Sequence, residues 1–264
     1  MKNNKSADSF YRVLTGLIVT IVCAAIPASS AFAQKTAGAK NIVIVHGAFA
    51  DASGWEPVFK ILQLHGYHVT LVQNPLTSLE DDVAATKRAL DRQDGPVVLV
   101  GHSWGGTVIT QAGVDSKVIS LVYVAAFVPQ VGESTLDLAK TAPPAPENGI
   151  MAPDNNGLIY YDKEKFHAGF AADVSQEKSD FMYASIAPVS AKGFVTPVTE
   201  ATWKTKPSYA IVATDDKSIN PSIERTMYKR AGSITTEIKG SHVLFMTKAK
   251  EVAAVIEAAA SAAK

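Results

Sequence analysis

The chain has 264 residues, 47% of them hydrophobic and 19% charged. That composition excludes a disordered, collagen-like or disulfide-scaffold protein, and the length suits one domain with a large core and room for an insertion. Twenty-five basic residues balance 25 acidic ones, so no excess positive charge points to nucleic acid as a partner.

The chain opens with an address. Lys2, Lys5 and Arg12 form a basic start, Val13 to Ile26 is almost unbroken apolar sequence, and Ala31-Phe32-Ala33 places small residues on both sides of a bulky one. This predicts a signal peptide over residues 1–33, cleaved after Ala33, and export to the periplasm or medium. The apolar run falls short of the roughly 20 residues a bilayer crossing needs, so no stable membrane insertion is expected after cleavage. Cleavage removes Cys23, the one cysteine. The mature chain then has no cysteine nucleophile, thiolate metal site or disulfide.

From residue 41 β-branched runs alternate with amphipathic segments. Asn41 to Val45 reads as a buried parallel strand. A helix follows over Trp55 to Leu64, then a strand over Tyr67 to Val72. The next helix spans Ser78 to Asp91, with Leu79, Val83, Thr86 and Leu90 on one face and Ser78 as its N-cap. Pro96 to Val100 is a strand, Gly105 to Gly113 a helix and Val118 to Ala125 a strand. After an interruption come a strand at Tyr209 to Ala213, a helix at about Pro221 to Ala231, a strand at Ile234 to Ile238, and a closing helix from about Lys248. This alternation predicts an α/β fold: a mostly parallel sheet of about six strands, with helices on both faces.

The interruption runs from about residue 129 to 206. It holds Pro143, Pro144, Pro146, the turn sequence Asn155-Asn156-Gly157 and many aromatics, Tyr160, Tyr161, Phe166, Phe170 and Phe194 among them. A structureless loop of that length is improbable in a compact domain, so the stretch reads as an inserted, largely helical cap. Over the carboxyl ends of parallel strands, it would roof an apolar pocket where such sheets bind ligands.

Gly101-His-Ser-Trp-Gly-Gly106 stands between a predicted strand and a predicted helix. That is the context of a strained turn exposing a serine hydroxyl, and it nominates Ser103 as nucleophile. A serine needs a base within hydrogen-bonding reach. Of the six histidines, His242 lies in a loop after the last strand, at the same sheet end as Ser103. His65 and His68 flank a turn, His102 should point away from the serine, His167 lies in the cap, and His46 braces a loop. The orienting acid comes from Asp215-Asp216, after the preceding strand; strand-end position favours Asp216, with Asp215 as the fallback. Backbone N–H groups of Trp104 and Ala48 are the candidate oxyanion donors, with Gly47 permitting close approach. No metal-ligand motif, P-loop or dinucleotide fingerprint appears, so no cofactor or metal is expected.

Together, Val45-His-Gly-Ala48, Gly101-His-Ser-Trp-Gly-Gly106, Asp216 and Gly240-Ser-His242 resemble the α/β-hydrolase superfamily. Gly47-Ala-Phe-Ala-Asp-Ala-Ser-Gly-Trp55, Gln73-Asn-Pro-Leu-Thr-Ser-Leu79 and Leu121-Val-Tyr-Val-Ala-Ala-Phe127 narrow the likeness. They resemble small bacterial hydrolases related to plant methyl-salicylate esterases and hydroxynitrile lyases. The likeness covers nearly all of residues 41–260 and is weakest in the cap. It implies that Asp216 is the acid, because it stands five residues before a proline, Pro221. The plant lyases carry a lysine where this chain has Val243 and a threonine where it has Gly47.

The resemblance therefore implies ester hydrolysis over cyanohydrin cleavage, with a small-molecule ester as partner. A lyase or carbon–carbon hydrolase on the same triad is one alternative, and a non-catalytic small-ligand binding protein is the other.

Overall fold

The computed structural model describes residues 38–262, so the signal-peptide expectation for residues 1–33 lies outside the described residues. In chain order the elements are β1 (Asn41–Val45), α1 (Glu56–Leu64), β2 (His68–Val72), α2 (Leu79–Asp91), β3 (Val97–Ser103), α3 (Trp104–Ala112) and β4 (Val118–Ala126). Then come α4 (Thr135–Ala139), β5 (Leu158–Ile159), α5 (Lys163–Phe170), α6 (Gln176–Ser185), β6 (Val189–Ser190) and α7 (Ala191–Val195). The chain returns to the sheet with β7 (Ser208–Ala213), α8 (Pro221–Ala231), β8 (Ile234–Ile238) and α9 (Ala249–Ala262).

Six strands form one parallel sheet in the order β2-β1-β3-β4-β7-β8. Every residue of β1, β3 and β7 is buried. Successive side chains point to opposite faces, so complete burial means that both faces are covered. Of the edge strands, β8 is largely exposed and β2 half-buried, and their sequences, Ile234-Thr-Thr-Glu-Ile238 and His68-Val-Thr-Leu-Val72, are correspondingly more polar. Helix α1 packs with α9 and α2 with α3. Ser78 caps α2 by accepting from the Asp81 N–H.

Residues 129–206 form the cap. Short helices α4 to α7 make up much of it, together with a two-stranded antiparallel sheet, β5 with β6. That small sheet is the non-helical part of a cap expected to be largely helical. Its strands are two residues long, too short to leave a period-two pattern in the sequence. An aromatic cluster of Tyr161, Phe166 and Phe170 holds the cap together, and Tyr161 meets Phe49 of the sheet side edge-on at 5.4 Å.

Candidate active site

Ser103 ends β3, and α3 begins at the next residue. Its φ of 53° and ψ of −122° lie outside the regions a side chain adopts without strain. The β3–β4 ladder shifts register between His102 and Ser103, so the turn leaves the sheet at the serine. Two glycines make room for it. A Cβ on Gly105 would sit 2.4 Å from the Val45 carbonyl oxygen, and one on Gly47 would sit 2.6 Å from the Ser103 Cβ. Only glycine lets these backbones approach so closely.

Three strand ends meet at this point. Asp216 follows β7, His242 follows β8, and both are buried with Ser103. His242 Nδ1 lies 2.6 Å from Asp216 Oδ2, and His242 Nε2 lies 2.8 Å from Ser103 Oγ. A carboxylate only accepts, so Nδ1–H donates to Asp216 and Nε2 is left free to accept the serine hydroxyl. Asp216 Oδ1 accepts from the N–H groups of Ser218 (2.7 Å) and Ile219 (2.9 Å), which fixes the carboxylate plane. Asp215 is exposed and donates its backbone N–H to the Gly240 carbonyl. The structure thus brings Asp216 to His242 and leaves Asp215 outside.

Trp104 is the first residue of α3, so its N–H precedes the first intrahelical bond. Ala48 stands in the loop after β1, buried beside the serine turn. Among the described residues neither amide donates to another residue. His46 orients the Ala48 amide. The Asn74 N–H donates to His46 Nε2 at 2.9 Å, which leaves Nδ1–H to donate to the Gly47 carbonyl at 2.8 Å. Because the peptide is planar and trans, holding the Gly47 carbonyl toward His46 turns the Ala48 N–H the other way. Burial holds the His46 pKa below the ordinary histidine value, which keeps the tautomer neutral.

The hydrogen bond His102 makes is to the backbone of His242 rather than to the serine, and through it His102 serves the site. Its Nε2–H donates to the His242 carbonyl at 3.0 Å, and the two rings lie 4.7 Å apart. Burial, then the neighbouring His242, push its pKa well below the ordinary range. His65 pairs with Glu257 on the surface, and His167 bonds the Val174 carbonyl within the cap.

Several contributors were missed in sequence. Asp82, fully buried in α2, accepts from the Trp104 indole N–H at 2.7 Å and the Leu76 N–H at 2.8 Å. Asp173 of the cap accepts from the Ser241 N–H at 3.0 Å, the Ser241 hydroxyl and the Thr247 hydroxyl. It ties the cap to the loop that carries His242. The available signal for Asp82 was a carboxylate on the apolar face of a helix; Asp173 left none.

Ser103 and His242 line a cavity of about 380 Å³. Its walls are apolar: Phe49 and Phe127 from the sheet side, with Leu136, Ile159, Phe170 and Phe194 from the cap. A second hollow beside it shares Phe127, Ala139, Ile150, Ser218 and Ile219, and adds Lys140, Asn148 and Asn220. Among the described residues no cluster of three or more His, Cys, Asp or Glu side chains could hold a metal ion, and no helix is long and apolar enough to cross a membrane.

The family described as the alpha/beta hydrolase family matches residues 42–255. The chain is 24% identical over 209 residues to the alpha/beta hydrolase nvfD of Aspergillus novofumigatus, covering 72% of this chain and 83% of that protein. It is 34% identical over 109 residues to Methylesterase 7 of Arabidopsis thaliana, covering 35% of this chain and 42% of that one. Among solved structures, a pyrethroid hydrolase from Sphingobium faniae JZ-2 superposes with a TM-score of 0.73 at 21% identity, covering 85% of this chain and 98% of that one.

Proposed function

The chain belongs to the alpha/beta hydrolase family, and from that premise we propose that it is a serine esterase acting on small carboxylic esters with an apolar or aromatic portion. One observation carries the reading: the unbroken hydrogen-bonded line from Asp216 through His242 to Ser103, at the floor of an apolar cavity. The name of the Arabidopsis relative, a methylesterase, supports the ester class.

In the proposed reaction Ser103 Oγ attacks the ester carbonyl while His242 Nε2 takes its proton. The developing oxyanion accepts from the Ala48 and Trp104 N–H groups, which are already oriented by His46 and by the helix start. Asp216 stabilises the imidazolium, which then protonates the departing alcohol. Water, deprotonated by His242, attacks the acyl-enzyme, and the acid leaves with Ser103 restored. Every step uses a group already in place, and none needs a metal or cofactor.

Val243, where the plant lyases carry lysine, is fully buried among apolar neighbours and offers no cation for a cyanide ion. Export follows in the same proposal: residues 1–33 direct secretion and are removed after Ala33. N-terminal sequencing of the exported protein should begin at Gln34, and a chain beginning at Met1 contradicts this. The activity is tested with p-nitrophenyl esters graded by acyl length. The wild type should turn over at least the apolar members, and Ser103→Ala should not, with an unchanged circular dichroism spectrum. Equal turnover by the folded variant contradicts the mechanism.

A further inference from the structure

Helix α8 carries a carboxyl group that the reaction above does not use. Glu224 is fully buried among Ile223, Met227 and Tyr228. Its Oε2 accepts from the Ala213 N–H at 3.1 Å, at the last residue of β7, while Oε1 has no donor among the described residues. Asp216, also buried, is tied to the same residue: its own N–H donates to the Ala213 carbonyl at 3.2 Å, so two buried carboxylic side chains are anchored on one strand end.

Two carboxyl groups buried side by side with no cation between them do not both ionise; one holds a proton and can donate it. The surroundings decide which. Asp216 already accepts from three N–H donors, those of Ser218, Ile219 and His242, each of which favours its anion. Glu224 accepts from one. Tyr228 cannot supply a second, because its hydroxyl donates to the Ala126 carbonyl and accepts from the Ala126 N–H. Arg225 cannot either, because its guanidinium is turned outward in a bidentate pair with Glu237. The α8 amino terminus favours an anion, but only weakly against full burial beside another carboxylate. Burial first, then the Asp216 charge, raise the Glu224 pKa well above the carboxylate range.

We propose that Glu224 is a positioning residue, a neutral carboxylic acid that donates a hydrogen bond to Asp216 and so sets both the place of that carboxylate and the basicity of His242. The inference rests on the esterase reading in taking Asp216 as the catalytic acid. A neutral donor draws negative charge from Asp216, which stabilises the imidazolium less and keeps the base neutral to lower pH. Glu224 also clamps the end of β7, so one side chain couples the strand to the turn that carries Asp216.

The proton can be observed directly. The infrared difference spectrum between wild type and Glu224→Gln at pH 7 should contain a carboxylic-acid C=O stretch that shifts in D2O. The kinetic arm compares pH profiles of kcat/KM. Glu224→Leu should lower kcat about tenfold and move the acidic limb up by about half a unit to one unit, since Asp216 loses a donor. Glu224→Gln keeps an acceptor for Ala213 and a neutral donor for Asp216, and should rescue both. The proposal is overturned if carboxylate bands replace the acid band, or if Gln moves the limb down by about a unit as loss of a nearby negative charge would. It is also overturned if folded Leu and Gln variants both match wild type. The infrared arm needs no substrate, so it reads the Glu224 proton even if the protein hydrolyses no ester.

Discussion

The sheet edge and the cap solve different problems with different means. At the sheet edge the proposed reacting groups hang on strand ends fixed by backbone ladders and glycine contacts, and they are buried. The cap is built from pieces of two to ten residues. It is fastened by isolated side chains: Asp173 to Ser241 and Thr247, Gln111 to the Thr199 and Glu200 amides, and Arg230 to Glu133. A backbone ladder tolerates little displacement, whereas a wall of side chains can be re-cut one residue at a time. In the proposed reaction chemistry therefore falls to the sheet and substrate choice to the cap.

Substitutions on the two sides should separate accordingly. The largest effect is at the sheet edge. Ser103→Ala and His242→Ala should each cost a factor on the order of 10⁴–10⁶ in kcat, with the double variant no worse than either single one. Multiplicative losses would mean that the two groups do not act as a unit. Next comes the support beneath Trp104. Asp82→Ala strands the indole N–H and the Leu76 N–H, and should lower unfolding stability by about 2–4 kcal/mol in a urea titration. A loss below about 0.5 kcal/mol would remove it from the scaffold.

Cap substitutions should act on binding instead. Phe194 lines the cavity and meets the Trp104 ring at 5.1 Å. Phe194→Ala should raise KM roughly five- to tenfold for short esters, with kcat within about twofold, since a large apolar contact is lost away from the reacting atoms. A fall in kcat alone would move Phe194 to the chemical side of the division.

The smallest effect concerns pH. His102 is buried with its pKa held below the unfolded value. Its contribution to stability is present above the unfolded histidine pKa of about 6.5 and is lost as pH falls toward the folded value, up to about 1.4 kcal/mol per pH unit. Buried acids with raised pKa values, Glu224 and Asp82, contribute the opposite slope. The comparison with His102→Gln isolates the histidine. The variant should lose less stability than wild type between pH 6.5 and 5, and an equal loss would mean that His102 is protonated in the fold.

The sheet was readable because parallel strands buried on both faces leave unbroken β-branched runs, and the nucleophile turn because its glycines are required by backbone contacts. Asp215 and Asp216 could not be separated from composition, since one residue decides between facing solvent and facing His242. Strand β3 runs on to Ser103, past the predicted end at Val100, because ladder pairing continues through Gly101 and His102 where side-chain pattern stops. The cap resisted for the same reason that Asp173 and Asn74 did. Their partners lie far along the chain, and local periodicity carries no trace of such bonds. Asp82 and Glu224 left one sign, an acid on an apolar helix face, which marks a buried carboxyl group without naming its partner.

The central claim is an activated serine at position 103. Its most direct test is intact-mass detection of fluorophosphonate labelling on the purified protein, beside Ser103→Ala, because it needs no knowledge of the substrate. The account predicts a single adduct on the wild type and none on the variant. An unlabelled wild type that is folded, or a variant labelled to the same extent, would contradict it.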